Sequence, residues 1–280
     1  MPELPEVQTT VDGLNRKVRG RRIVGAWYDW PRFKDVEKTK GYRIERVGRR
    51  GKNILFYLGK HILLVHMKMT GHLLVGQWEI VGRKATALKP KDLKDKDNSY
   101  VHFILTLDSG VMIGFSDLRK FGKVVFGLVE KIETLSELQK LGPEANEASL
   151  KEFTERVRAK RKTIYQTLMD QTVVAGIGNI YVSEILWKAK VHPLKPANKL
   201  EDKELKALHK AAKEILSKAL KLRGTSTADY RDIAGKKGNY GKVRMAYGRE
   251  GEPCFRCGTE IKRQKQGGRS AYYCPECQPR

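Results

Sequence analysis

Cys254-Phe255-Arg256-Cys257 and, sixteen residues further on, Cys274-Pro275-Glu276-Cys277 hold all four cysteines of the 280-residue chain. A disulfide framework would be spread through the fold, not confined to its last tenth. Two CxxC knuckles at this spacing place four thiolates tetrahedrally on one Zn2+, with a β-hairpin running between them. Four cysteines leave no open coordination position, so the zinc is structural, and neither redox nor catalytic chemistry is expected of it. Between the knuckles, Lys262-Arg263-Gln264-Lys265-Gln266-Gly267-Gly268-Arg269 is strongly basic, as a hairpin facing a polyanion would be.

The rest of the chain shares that charge. It carries 56 Lys+Arg against 32 Asp+Glu, a net +24, with a pI near 9.9. Such an excess calls for a polyanionic partner, nucleic acid first and a membrane surface second. No run of about 18 apolar residues is present, and the N-terminus lacks the charged-then-apolar pattern of a signal peptide. A cytoplasmic protein is expected. At 40% hydrophobic residues, the chain can build two modest domains with real cores.

Moving from the cysteines toward the N-terminus, residues 223–250 are glycine-rich, basic and without periodicity. Helical spacing marks 202–222, 179–189, 163–169 and 150–158. Gly142-Pro143 reads as a linker behind a short helix at 135–141. Upstream, the stretches 22–30, 42–47, 53–58, 62–66, 72–78, 100–107, 111–115 and 123–129 read as short strands, a spacing that suggests a sandwich. The Lys- and Asp-rich stretch 82–98 reads as a mobile hairpin tip. Leu4, Val7, Val11, Leu14 and Val18 form one helical stripe, with Pro5 in its first turn and Gly20 at its stop. The expected architecture is α+β and multidomain. A β-sandwich with flanking helices occupies 1–130, a linker 131–148, helices 149–223, a loop region 224–245 and the zinc hairpin 246–280.

Three further motifs carry chemistry. Removal of Met1 leaves Pro2 as a secondary amine, a nucleophile toward an aldehyde-like carbon, with Glu3 beside it and Glu6 one turn on for proton transfer. Gln171 to Tyr181 contains Gly176-Ile177-Gly178-Asn179, where Asn179 is placed to cap a helix and the freed amides to meet a phosphate. Asp117-Leu118-Arg119-Lys120-Phe121-Gly122 sits between strands. Arg119 and Phe121, two apart, would project to one side of an extended segment and could fill the gap left by an extruded base. Met69, in His66-Met67-Lys68-Met69-Thr70-Gly71, could be a third such wedge or a core residue after a strand.

Together with Arg49-Arg50-Gly51-Lys52 and Tyr247-Gly248-Arg249-Glu250-Gly251, these motifs occur in one order, and the chain resembles the formamidopyrimidine-DNA glycosylase family from end to end. The resemblance implies a catalytic sandwich domain, a helix–two-turns–helix DNA-binding domain and a zinc finger. It implies excision of 8-oxoguanine and formamidopyrimidines from duplex DNA, followed by β,δ-elimination at the abasic site. By the same resemblance Pro2 attacks C1′, Glu3 gives a proton to the opening sugar and Glu6 supports them. Lys52, His66, Asn179 and Arg269 meet backbone phosphates. Met69, Arg119 and Phe121 fill the void, and the loop near Thr225 and Tyr230 closes over the base. Where many relatives have paired glycines and an arginine in that loop, this chain has Arg223-Gly224 and Ala228. A monomer is expected. Two other readings compete: an endonuclease VIII-type enzyme for oxidised pyrimidines, and a non-catalytic zinc-finger DNA-binding protein.

Overall fold

The computed structural model describes residues 1–226 and 230–280. Two compact units divide the chain: Met1–Gln139 with Leu222–Gly241, and Lys140–Lys221 with Lys242–Arg280. The first opens with helix α1, Leu4–Val18, whose stripe Leu4, Val7, Val11, Leu14 and Val18 is wholly buried. Nine strands follow: β1 Ile23–Tyr28, β2 Arg46–Arg50, β3 Asn53–Leu58, β4 His61–His66, β5 His72–Val81, β6 Lys84–Lys89, β7 Val101–Leu107, β8 Met112–Ser116 and β9 Lys123–Leu128. They form two antiparallel sheets, ordered β1-β7-β8-β5-β6 and β2-β3-β4-β9. Phe33, Phe56, Leu63, Val65, Phe103 and Phe115 belong to one core that also takes in Val7, Val11, Leu14 and Val18 of α1. Each fully buried side chain of this kind contributes about 1.5–3 kcal/mol.

Three local expectations change. The strand expected at 42–47 runs instead over Arg46–Arg50, because Arg43 is engaged in a separate bridge with Arg22. The stretch 82–98 is not a bare tip. Its first part is β6, paired with β5, and the 3-10 turns Lys91–Lys94 and Lys96–Asn98 follow. Leu93 and Asn98 are both 0% exposed, and Leu93 packs with Trp78 in a second small core. Two buried residues among so many charges leave a weak periodic signal. A 3-10 helix at Pro31–Thr39 was not expected either; Phe33 and Val36, three apart, are its buried side.

Short helices α2 Val129–Glu133 and α3 Ser136–Gln139 close the first stretch. The second unit contains α4 Leu150–Arg158, α5 Ile164–Met169, α6 Asn179–Ala189, α7 Asp202–Lys221 and the hairpin β10 Lys262–Gln266 with β11 Arg269–Tyr273. Ser149 and Thr163 cap α4 and α5 through their hydroxyls. Ile180 to Trp187 are all buried, because α6 packs against both α7 and β11. Among the described residues no helix is long and apolar enough to cross a membrane.

Candidate active site and metal centre

The start of α1 is a buried polar node. Pro2 is buried, Glu3 is 2% exposed and Glu6 is 0% exposed. Glu6 Oε2 accepts from the Glu3 N–H at 2.8 Å, and Oε1 accepts from the Thr225 N–H at 2.6 Å. One carboxylate therefore fixes the backbone of Glu3 and the entry to the 225–230 loop together. Gly224, at φ +74°, lies so close that a Cβ there would meet Glu6 Oε1 at 2.5 Å. Tyr230, at the loop's far end, is 6% exposed, and its hydroxyl donates to the Glu6 carbonyl at 3.1 Å. Burial, with the Glu6 charge next in weight, pushes the Tyr230 pKa upward and keeps the phenol a donor. Ala228 lies outside the described residues. At the other sequence departure, Arg223 takes φ +61° and donates to Asp232 at 2.7 Å.

A cationic cluster lies at neighbouring strand ends. His66 pairs with Asn53 on β3 and with Lys123 on β9. Lys52, in the β2–β3 turn, is 7% exposed. Burial first, then the charges of Lys68, Lys52 and Lys123, lowers the His66 pKa to about 3. The ring is thus neutral. Its Nδ1 accepts from the Lys68 N–H at 2.9 Å, which leaves the proton on Nε2. Together these groups offer N–H donors and fixed positive charge, the donor set a phosphate requires.

Met69 and Phe121 are large apolar side chains left 39% and 45% exposed, and the Arg119 guanidinium stacks 4.5 Å above the Phe121 ring. The pair does not lie along an extended segment as expected. A turn brings it together, with Asp117 as its post: one carboxylate oxygen accepts from Gly122 N–H at 2.7 Å, the other from Arg119 N–H at 3.3 Å and from the Thr70 hydroxyl. Sequence reading treated Asp117 only as part of a motif and gave Thr70 no role.

In the second unit, Asn179 is the first residue of α6, and Gly178 is the cap. The Asn179 side chain instead accepts from the Tyr165 hydroxyl. Gln171 braces the preceding turn by donating to the Ile177 carbonyl at 2.8 Å and accepting from Gly176 N–H at 2.9 Å. Arg269 opens β11 and lines a recess with Lys162, Gln166 and Gly267. Neither Gln171 nor Tyr165 stood out by spacing.

The four cysteine sulfurs lie within 4.8 Å of one another, with Cys254–Cys277 at 4.0 Å and Cys257–Cys274 at 3.4 Å. Tetrahedral Zn–S bonds of about 2.3 Å require sulfur separations of about 3.8 Å, so the cluster fits one ion. Trp187 Nε1 donates to Cys254 Sγ at 3.4 Å, and the Arg256 guanidinium lies 3.8 Å over the Trp187 ring. Buried Glu184 anchors the chain that enters the module by accepting the N–H groups of Met245, Ala246 and Tyr247, each at 2.9 Å. A lone carboxylate inside the apolar run of α6 was the available signal for it.

Comparison with known proteins covers the whole chain. The formamidopyrimidine-DNA glycosylase N-terminal domain matches residues 1–124, the formamidopyrimidine-DNA glycosylase H2TH domain 141–231, and the zinc finger found in FPG and IleRS 251–280. That last match and the sulfur geometry assign one structural zinc to the cysteines. The formamidopyrimidine-DNA glycosylase of Herpetosiphon aurantiacus is 38% identical, over 99% of this chain and 100% of its own. Among solved structures, a Lactococcus lactis FPG variant in complex with Fapy-dG containing DNA superposes with a TM-score of 0.86 at 33% identity, covering 100% of both chains. The MutM (FPG) protein of Thermus thermophilus gives 0.85 at 32% identity, over 99% of this chain and 98% of that one. With catalytic-domain, helical and zinc modules all matched in order, the chain belongs to the formamidopyrimidine-DNA glycosylase family.

Proposed function

We propose that this chain is a bifunctional DNA glycosylase and abasic-site lyase of base excision repair that removes oxidised purines, 8-oxoguanine and formamidopyrimidines, from duplex DNA. The observation that carries the reading is the buried Pro2-Glu3 pair held at the start of α1 by the Glu6 carboxylate. With Met1 attached, the Pro2 nitrogen is an amide; its removal makes that nitrogen a secondary amine. The amine attacks C1′, the N-glycosidic bond breaks and the base departs. Glu3 delivers a proton to the ring oxygen as the sugar opens, leaving an iminium between Pro2 and C1′. Loss of a C2′ proton then expels the 3′ phosphate by β-elimination, and δ-elimination expels the 5′ phosphate. Water hydrolyses the remaining iminium and frees the protein.

The other groups bind and hold. Lys52 and His66 grip phosphates beside the lesion, supported by their shared cationic cluster. Asn179 and Arg269 grip phosphates from the helical and zinc modules. Met69, Arg119 and Phe121 fill the space the extruded nucleotide leaves, which offsets an unstacking cost of about a few kcal/mol. Glu6 anchors the loop whose two ends are Thr225 and Tyr230, and that loop covers the base. The net charge of +24 makes affinity fall steeply as salt rises. All of these groups belong to one chain, which supports a monomer. A duplex-DNA substrate supports a cytoplasmic location, at the nucleoid of a bacterial cell.

Cleavage of two duplexes tests the substrate class, one carrying 8-oxoguanine opposite cytosine, the other thymine glycol. Faster release of 8-oxoguanine is expected. Preference for thymine glycol would move the chain to the oxidised-pyrimidine enzymes, and release of neither would leave a DNA-binding protein only.

A further inference from the structure

The turn that carries the wedge bears a second cation on a second aromatic ring. Arg119 stacks on Phe121, while Lys120, between them in sequence, places its ammonium 4.6 Å from the centroid of the Trp30 ring. A cation within about 6 Å of a ring centroid is attracted by the ring's quadrupole. Trp30 is 42% exposed, and Leu118, in the same turn, 50%. With Met69 and Phe121 these make four large apolar side chains left in solvent about one turn, and the void takes only two of them. Exposed apolar groups gathered in this way mark a contact surface.

Both members of the Trp30–Lys120 pair are fixed through their backbone. Trp30 caps the 3-10 helix Pro31–Thr39, and its carbonyl accepts from the N–H of fully buried Phe33 at 2.9 Å. The preceding Asp29 donates its N–H to the His102 carbonyl at 3.2 Å, and its carboxylate lies 2.9 Å from His102 Nδ1. Lys120 has φ +55°, and its N–H closes the turn on the Asp117 carbonyl at 3.1 Å. That conformation suits glycine and disfavours an L-residue. Strain of this kind collects at functional sites. The way the ammonium is held also matters. Lys38 and Lys123, in the same unit, pair with Asp35 and Glu137, each at 2.7 Å, which offsets their charge. A ring carries no net charge, so Trp30 positions Lys120 without neutralising it.

We propose that Lys120 is a further phosphate-binding residue, gripping the strand at the rim of the void that Met69, Arg119 and Phe121 fill, and that Trp30 is the residue that positions it. The proposal rests on the wedge role given above. Once Arg119 and Phe121 enter the duplex, the backbone beside the void is what lies within reach of the residue between them. A phosphate is the part of that backbone that matches an ammonium. The ammonium already occupies one face of the indole, so the ring serves Lys120 and not an unstacked base.

Equilibrium binding to a duplex carrying a reduced abasic site, followed from about 0.1 to about 0.3 M salt, tests this. Lys120→Gly relieves the backbone, so its thermal unfolding temperature should stay level or rise. Its DNA affinity should nevertheless fall about eightfold at about 0.1 M salt, with a slope of log K against log salt shallower by about 0.9, the share of one phosphate contact. Lys120→Arg keeps the charge and the ring contact, and should keep the slope and most of the affinity. Trp30→Ala should weaken binding about two- to fivefold, the scale of one cation–π contact. Trp30→Phe should restore most of that loss, and in the Lys120→Gly background Trp30→Ala should cost nothing further. An unchanged salt slope in Lys120→Gly would overturn the phosphate contact. A Trp30→Ala loss of equal size with or without Lys120 would mean that the indole meets DNA directly, and would overturn its positioning role. A wild-type protein that neither prefers the abasic-site duplex to undamaged DNA nor releases 8-oxoguanine would defeat the functional reading itself. A wild type that does both, with Lys120→Gly indistinguishable from it, would defeat this proposal alone.

Discussion

At one end of the chain, four thiolates from two short knuckles converge within 4.8 Å of one another around a metal. At the other end, Glu3 and Glu6 are buried, and Glu6 is held by N–H groups of Glu3 and of Thr225, 219 residues further on. Both regions fix chemistry in place, but their determinants differ in range. The zinc module is assembled from 24 neighbouring residues and one strong ligand. The N-terminal site is assembled from distant backbone, and several modest hydrogen bonds share the work. Damage should therefore be all-or-none in the first region and graded in the second.

The largest effect is expected at the metal. Structural zinc in finger peptides contributes about 10–16 kcal/mol of apparent folding free energy, so Cys254→Ser should lose the ion, unfold the hairpin and weaken DNA binding together. Metal content and a binding titration check this; full affinity without zinc would reduce the module to a scaffold. Next comes the reaction itself. Glu3→Gln should slow base release by about 10²–10⁴-fold, the range for a positioned proton donor, and Pro2→Gly should abolish it, while both variants still bind DNA. Single-turnover assays beside a binding titration decide it, and full activity in either variant would remove the assigned role.

The contrast also explains what could be read from the chain. The cysteine spacing specifies its own geometry, so the metal centre is legible in the sequence. The α1 stripe and the hairpin between the knuckles were legible for the same reason, as periodicity over a short run. Pro2 and Glu3 became interpretable only beside the other motifs, because a Met-Pro start is common. What escaped was assembled across sequence distance. Nothing near Asp117 announces that Thr70 binds its carboxylate from 47 residues away. The Arg119–Phe121 pair was expected on an extended segment between strands and arises from a turn. Leu93 and Asn98 were hidden among lysines and aspartates, where charge masks two core positions.

Smaller effects sharpen the graded side. Glu6→Ala leaves the Glu3 and Thr225 N–H groups without their carboxylate, at a cost of about 1–3 kcal/mol for each buried donor. Thermal unfolding should show that loss, and base release should fall with it; unchanged stability would mean solvent replaces the carboxylate. His66 gives a pH signature. Its folded pKa, near 3, lies below the ordinary value of 6.5, so the unfolded chain binds an extra proton between the two. Stability should rise with pH through that window and be lost as pH falls, with a slope approaching about 1.4 kcal/mol per pH unit for one proton. His66→Gln should flatten this component in urea titrations at pH 4–6, as the order of the two pKa values requires. The smallest change is expected for Arg223→Gly. An L-residue at positive φ costs about 1–2 kcal/mol, and the pair with buried Asp232, exposed on its arginine side alone, returns about 1 kcal/mol. Arg223 has both, with φ +61° and an Asp232 partner at 2.7 Å, so its removal should leave stability nearly unchanged.

The most direct test is borohydride reduction of the protein on an 8-oxoguanine duplex, followed by peptide mapping of the covalent adduct. The expected result is a single DNA adduct on a mature chain beginning at Pro2, with the sugar carbon bound to the proline nitrogen. An adduct carried by a lysine, or efficient trapping by chains that retain Met1, would contradict the account.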